Sequence, residues 1–340
     1  MTLWNLRAAR MGDLDSLSEL ADLAGTGFTN LPSNREALKA RLEWNEQSYA
    51  REEDEPDNEL YILLLEEAAT GRIGGSAMLF SRLGVRWPFY SYKVARLSQF
   101  SAELNRTARL DVLHLVNDFN GASEVGGLFL HPDLRSSGFG GLLARSRYMF
   151  IAMHRRRFAS RILAELRGRV RDDGSAPFWD GLGGKFFGMS FQEADRFNSQ
   201  HGNQFIADLM PKYPIYTALL SPEAQDTIGQ PHDSGVPAMR MLEKEGFSFT
   251  GYVDIFDAGP TMVADTDRLR TVEAAQTLPI FEIGGGGAES HTGFAAAGER
   301  TEFRAWRTAS RLTEQGLVMP PEEAALMRVK QGDKVIYVAS

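Results

Sequence analysis

The residues best suited to chemistry lie in one run, Glu124-Val-Gly-Gly-Leu-Phe-Leu-His-Pro-Asp-Leu-Arg-Ser-Ser-Gly-Phe-Gly-Gly-Leu-Leu143. A short apolar strand ends at His131-Pro132, and a polar turn follows over Arg135, Ser136, Ser137, Gly138, Phe139, Gly140 and Gly141. A helix rich in Leu, Ala, Arg, Tyr, Met and Phe then begins. Glycines let the main chain approach an anion, successive N–H groups point inward, and the helix dipole favours negative charge. The turn is thus a device for holding phosphate, with Arg135 to Gly141 as the expected contacts. It lacks the Gly-Lys-Ser/Thr ending of a nucleotide P-loop and the Gly-x-Gly-x-x-Gly of dinucleotide folds. Its own spacing is Arg-x-x-Gly-x-Gly.

Proton transfer needs further groups. Glu124 opens the strand, and Glu165 lies in a second buried strand, Arg161-Ile-Leu-Ala-Glu-Leu166. Either carboxylate could take a proton from an amine or pair a guanidinium. His232 stands in a Gly229-Gln-Pro-His-Asp233 loop, where an imidazole is as often a plain surface residue. The spacing of His114, His131, His154, His201 and His291 assembles no metal site, so no metal is expected.

Composition bounds the rest. The 340 residues carry a net charge of −8, which argues against a nucleic-acid partner. The basic run His154-Arg-Arg-Arg157 reads as arginines complementing the dipole at a helix C-terminus. There is no cysteine, so thiolate catalysis, thiolate zinc and disulfides are excluded, in keeping with a cytoplasmic location. The first residues lack a signal-peptide layout, and no run of about 18 apolar residues exists to span a membrane.

The elements that must position the glycine turn read in order. Trp4–Ala8 is a strand, and Leu14, Leu17, Leu20 and Ala21 give a helix with Asp13 as N-cap. A second helix runs from Asn34 to Tyr49, capped by Ser33 or Asn34. Leu60–Leu65 and Arg72–Phe80 form a hairpin, Val85–Arg109 is strand plus loop, and Val112–Val116 is a strand. Pro237–Phe247 reads as a helix ending at Gly-Phe before a strand, and Ala176–Phe187 resembles a segment of the same kind. Gly284–Gly287 reads as a linker before a β-rich end.

The Arg-x-x-Gly-x-Gly turn after a strand resembles the pyrophosphate loop of the GCN5-related N-acyltransferases, which bind coenzyme A. Longer segments resemble the bacterial arginine N-succinyltransferase family. Among them are Ser123–Leu130, Ser146–Phe150, Ala164–Gly168, Lys185–Phe191, Phe205–Tyr216, Ala224–His232 and Leu242–Pro260. The likeness is weak from Val85 to Asp111 and after Thr266. At Leu134, Ser136 and Ser137 the family tends to carry acidic and lysine residues instead.

The resemblance implies an α+β fold of the GCN5-related acyl-CoA N-acyltransferase kind, with a mixed, mostly antiparallel central sheet flanked by helices. Residues 1–200 would form the acyltransferase domain. A partial second acyltransferase-like unit, 201–275, would complete the active site, and 276–340 would be a linker and small β-rich appendage. The implied reaction passes a succinyl group from succinyl-CoA, a co-substrate and not a bound cofactor, to the α-amine of L-arginine. Carried over from the family, His232 is the proton donor, Leu128 contacts the acyl-CoA, and the strand as far as Leu130 runs beside the pantetheine arm. Many relatives of this fold use a tyrosine as proton donor where this chain has Trp179 and Leu242, which leaves the task to His232. Glu124 is the candidate base. Another acyl-CoA, ornithine as acceptor, or a non-catalytic CoA-binding subunit are the other readings, and a homo- or hetero-oligomer is implied.

Overall fold

The computed structural model describes the chain apart from residues 1–2, 26–29, 136, 202–203, 286–292 and 340, and the side chains of 199–201 and 207. Seven strands form first: β1 (Trp4–Ala8), β2 (Leu60–Glu67), β3 (Ile73–Phe80), β4 (Ser91–Ser101), β5 (Arg106–Val116), β6 (Ser123–Leu130) and β7 (Arg161–Glu165). Next come β8 (Ile215–Tyr216), β9 (Ser248–Val253), β10 (Pro260–Asp265), β11 (Gln276–Ile283), β12 (Gly293–Ala297) and β13 (Arg304–Thr308). The last are β14 (Arg311–Thr313), β15 (Gly316–Met319) and β16 (Lys334–Ala339). They join in one sheet of order β14-β15-β11-β16-β12-β13-β1-β2-β3-β6-β7-β10-β9-β4-β5-β8.

Burial explains the centre. β2 and β3 are covered on both faces, as their unbroken apolar runs require. Three helices matter here: α1 (Leu14–Ala24), α2 (Arg35–Ala50) and α3 (Phe139–Met153). On one face, Leu142, Leu143, Met149 and Phe150 of α3 pack with Leu6, Tyr61, Leu63 and Leu65. On the other, Leu17 and Leu20 of α1 and Leu38 and Leu42 of α2 pack with Leu60, Ile62 and Leu64. Gly74 and Gly75 keep β3 thin where it faces these layers: a Cβ at Gly74 would overlap Leu134 and Trp4, and one at Gly75 the carbonyl of Phe129.

Local details differ from the sequence reading. Asn34 caps α2, accepting from Glu36 N at 2.8 Å and Ala37 N at 3.1 Å. Asp13 precedes α1 but does not cap it, because its carboxylate is taken by the Arg7 guanidinium at 2.8 Å and by Arg10 N at 2.7 Å. Val85–Arg109 holds β4 and the start of β5, a long hairpin whose tip is exposed and so leaves little apolar alternation to read. The helix Val236–Glu245 and the hairpin β9–β10 form no sheet of their own, since β10 adds antiparallel to β7. The β-rich end likewise extends the same sheet, with β13 antiparallel to β1. The glycine run begins at Gly284, and Gly286 and Gly287 lie outside the described residues.

The basic run after α3 does not act by complementing the helix dipole. Arg155 forks the carboxylate of Asp267 at 2.5 and 2.8 Å. Arg157 is buried, bonding Glu59 at 3.1 Å, Tyr61 Oη at 3.0 Å and the Arg51 carbonyl at 2.8 Å. Glu59 is only 2% exposed, so removing Arg157 strips one of the two guanidinium groups that meet it and leaves Arg51 at 3.1 Å as its remaining counter-charge. Arg157→Ala should therefore lower unfolding free energy by about 3 kcal/mol in urea denaturation, and a loss below about 0.5 kcal/mol would count against this pairing.

Candidate active site

The sheet parts at its centre. β6 and β7 run parallel but pair only at Ser123 with Ile162 and Glu124 with Leu163. β7 pairs with β10 along its whole length, from Arg161 with Asp265 to Glu165 with Thr261, while β6 continues along β3 to Leu130. From Val125 onward β6 therefore has no strand on its β7 side among the described residues. A bulge sits on the same stretch: Met78 pairs with Gly126, yet Ser76 pairs with Phe129, so β6 carries one extra residue. Gly127 takes φ +57°, and a Cβ there would lie 2.6 Å from Met78. The buried Ser76 hydroxyl donates to the Gly127 carbonyl at 3.1 Å and pins the bulge. A bulge re-aims main-chain groups, here beside an unpaired edge. The side chains of Leu128 and Leu130 are half-buried and pack against the main core.

The glycine turn closes this wedge. Pro132–Leu134 make one 3-10 turn, and Gly138 at φ +84° leads into α3 at Phe139. Gly138 offers no side chain to cap the helix, and a Cβ at Gly141 would meet nothing within 4 Å. With no side chain on Gly140 or Gly141, the first turn is left sterically open at the positive end of the dipole. Ser137 is spent on the turn itself: its hydroxyl donates to the Leu134 carbonyl and accepts from Phe139 N at 3.4 Å. Arg135 is exposed, Phe139 packs on Trp4 with ring centroids 5.5 Å apart, and Ser136 lies outside the described residues.

Two carboxylates sit where β6 and β7 part. Glu124 is 6% exposed, and burial pushes its carboxyl up to about 7 against the pull of Asn30 and the Arg41 guanidinium. Asn30 Nδ2 is 3.5 Å from Glu124 Oε1, and Gly126 leaves the space both need, since a Cβ there would stand 2.5 Å from Asn30 Nδ2. Burial also drives the Glu165 carboxyl well up, helped by the charges of Asp254, Glu124 and Asp257. Glu165 Oε1 is buried with no hydrogen-bond partner among the described residues. Asn30 and Arg41 were not legible as site residues, since neither carries a motif.

Main-chain bonds bring His232 to the same place. His232 N donates to the Arg167 carbonyl at 2.8 Å, two residues past Glu165, and Gly168 bridges to Pro231. Asp257 ties the neighbouring loops, accepting from Gly168 N at 2.7 Å and Gly259 N at 2.8 Å. His232 Nδ1 accepts from Ser234 N at 3.2 Å and lies 2.8 Å from its hydroxyl. That partners Nδ1, while Nε2 makes no hydrogen bond among the described residues. Trp179 and Leu242 offer no alternative donor: the Trp179 Nε1–H is used on the Met189 carbonyl at 2.8 Å, and Leu242 is a buried hydrocarbon. Among the described residues no group of three or more His, Asp or Glu could hold a metal ion, and no helix is long and apolar enough to cross a membrane.

A parted parallel strand pair, a bulge on one strand, and a glycine turn leading into an uncapped helix define an acyl-CoA N-acyltransferase of the GCN5-related fold. Comparison narrows the class. Residues 4–271 match the family model described as arginine N-succinyltransferase beta subunit, and residues 268–339 match that of its C-terminal domain. The chain is 39% identical to the arginine N-succinyltransferase subunit beta of Pseudomonas aeruginosa, covering 97% of this chain and 96% of that one. It is also 39% identical to the arginine N-succinyltransferase of an Enterobacter species, over 98% and 96% of the two chains. Among solved structures, the arginine/ornithine succinyltransferase subunit AI of Pseudomonas aeruginosa superposes with a TM-score of 0.90 at 29% identity, covering 100% of this chain and 99% of that one. The chain belongs to the arginine N-succinyltransferase family.

Glu124 makes a testable link between site and stability. Its folded pKa, about 7, exceeds the unfolded value, so between roughly pH 4.5 and 7 the native state keeps a proton that the unfolded chain has lost. The stability carried by that neutral form fades as pH rises through the window. Above it the buried charge burdens the fold by up to about 3 kcal/mol. Glu124→Gln should therefore melt above the wild type at pH 8 and close to it at pH 4.5. An equal difference at both pH values in thermal unfolding would refute the assignment.

Proposed function

We propose that the chain catalyses direct transfer of the succinyl group from succinyl-CoA to the α-amine of L-arginine, giving N2-succinylarginine and CoA. The single observation that supports this reading is the parting of β6 and β7 after Glu124, which leaves the bulged edge of β6 without a strand while the loop after β7 holds His232 N at the Arg167 carbonyl. In this reading the donor's diphosphate rests on the main chain of Arg135 to Gly141, and its pantetheine arm takes the strand position beside Val125 to Leu130 that no strand fills. Residues 201–275 complete the site by carrying His232, and the earlier residues hold the donor.

The steps follow from that layout. Glu124, with its carboxyl near 7, takes a proton from the α-ammonium of arginine. The free amine attacks the thioester carbonyl, and main-chain N–H groups of the bulge meet the oxyanion. The tetrahedral intermediate collapses and the carbon–sulfur bond breaks. The His232 imidazolium, its Nδ1–H held by the Ser234 hydroxyl, gives its Nε2 proton to the CoA thiolate. The second proton of the attacking nitrogen restores the ring, and the first leaves Glu124 for solvent. No covalent intermediate on the chain is needed. Glu165, buried and unpaired, supplies a carboxylate to the cationic acceptor, whose charge would draw it into its ionised form. Relatives described as subunits make assembly with copies or a related chain part of this reading.

Thiol release from a panel of acyl-CoAs and amines tests the pair. Succinyl-CoA with arginine should outpace acetyl-CoA with arginine, and ornithine belongs in the panel because a similar solved protein bears both amino acids in its name. Equal release from the two donors would remove the succinyl assignment. His232→Ala should lower kcat by about 10²- to 10⁴-fold with little change in CoA binding. An unaltered kcat would exclude it as the proton donor. Glu165→Gln should raise the KM for arginine about tenfold while the KM for succinyl-CoA stays put, as expected for a charged hydrogen bond of about 1.5 kcal/mol.

A further inference from the structure

The C-terminal unit reaches the glycine turn. On β13 the neighbours Trp306 and Thr308 are buried, and Arg307 between them is exposed. Leu6 of β1 pairs with Ala305, and continuing that antiparallel register sets Arg307 opposite Trp4. Trp4 is the residue whose ring packs on Phe139, the first residue of α3. The Arg307 side chain therefore emerges beside the start of that helix. Its Nη1 stands 3.7 Å from the point a Cβ would occupy on Gly138.

Among the described residues Arg307 takes part in no ion pair and no hydrogen bond. The acid of the turn, Asp133, is already met by Arg72 at 3.3 Å and His131 at 3.5 Å. Arg145, the other cation close by, lies over the ring of Phe294 at 4.5 Å, and Phe294 is the cross-strand partner of Arg307. An unpaired fork of N–H donors at the rim of a main-chain anion seat is suited to a phosphate oxygen pair.

We infer that Arg307 binds a phosphate group of the acyl-CoA donor, so that the C-terminal β unit forms part of the donor site. The inference rests on reading the glycine turn as the seat of the donor's diphosphate. It gives residues 276–340 a role in the reaction that neither the turn nor the catalytic groups require.

Steady-state kinetics on the full chain test it. Arg307→Ala should raise the KM for succinyl-CoA ten- to a hundredfold, with the KM for arginine and kcat changing less than threefold, and Arg307→Lys should recover part of the loss. Comparing succinyl-CoA with its 3′-dephospho analogue identifies the phosphate. If the wild type prefers the former and Arg307→Ala does not, the contact is to the 3′-phosphate; if both donors weaken alike, it is to the diphosphate. Gly140→Asp, which places a carboxylate in the seat, separates the two ideas. A raised donor KM in Gly140→Asp with an unchanged one in Arg307→Ala overturns the role of Arg307. An unchanged donor KM in both overturns the reading of the turn itself.

Discussion

Everything in the site depends on β6 and β7 pairing at their first residues and then separating. Two parallel strands would ordinarily stay bonded along their length, because each unmade main-chain bond leaves a donor and an acceptor to satisfy. Here the separation is enforced from both sides. β10 captures β7 through Thr261 and Glu165, and β3 holds β6 to its end at Leu130. The edge left over lies at the middle of the sheet rather than at its margin. A ligand with amide groups along an extended arm can take up such an edge much as a strand would.

The same separation accounts for the carboxylates. Glu124 and Glu165 sit at its apex, where the strands are still close enough for the packed core to limit water. Burial raises both acids above their usual range, and each raises the cost of charging the other. Denying Glu124 full solvation thereby brings its carboxyl to about 7. Asn30 and Arg41 hold the balance, keeping Glu124 near 7 rather than higher. Such an arrangement disfavours the folded state at high pH, the usual conflict between stability and a working acid or base.

How much of this was legible in the sequence varied with the range of the interaction. The β6–turn–α3 run was readable because strand, glycines and helix are contiguous, and their spacing alone specifies a seat for an anion. The hairpin β2–β3 was readable for the same reason. Glu124 and Asn30 are 94 residues apart and meet only because α1 and α2 fold over the sheet, so no local pattern marks Asn30 or Arg41. His232 entered through family resemblance, and its tie to Arg167 depends on three loops interlocking around Asp257. The arginines after α3 look like dipole partners in sequence, yet the carboxylates that claim them, Glu59 and Asp267, lie on distant segments. Charge runs show that partners are needed but not which ones.

A second consequence of one continuous sheet concerns the end of the chain. Had the last residues formed a separate lobe on a linker, their position relative to the glycine turn would have varied with that linker. Instead β13 is bonded to β1, and β1 is the strand whose Trp4 supports Phe139 at the start of α3. Register then does what a hinge could not: it sets Arg307 at a constant height beside Gly138. Holding a guanidinium fork in place lowers the entropy lost when it meets a doubly bonded anion, so a surface arginine on a strand is a better phosphate ligand than one on a loop. The β-rich end is thus built into the fold by the same hydrogen-bonded ladder that parts at β6 and β7, and one sheet carries both Arg307 and the strand that leads into the glycine turn.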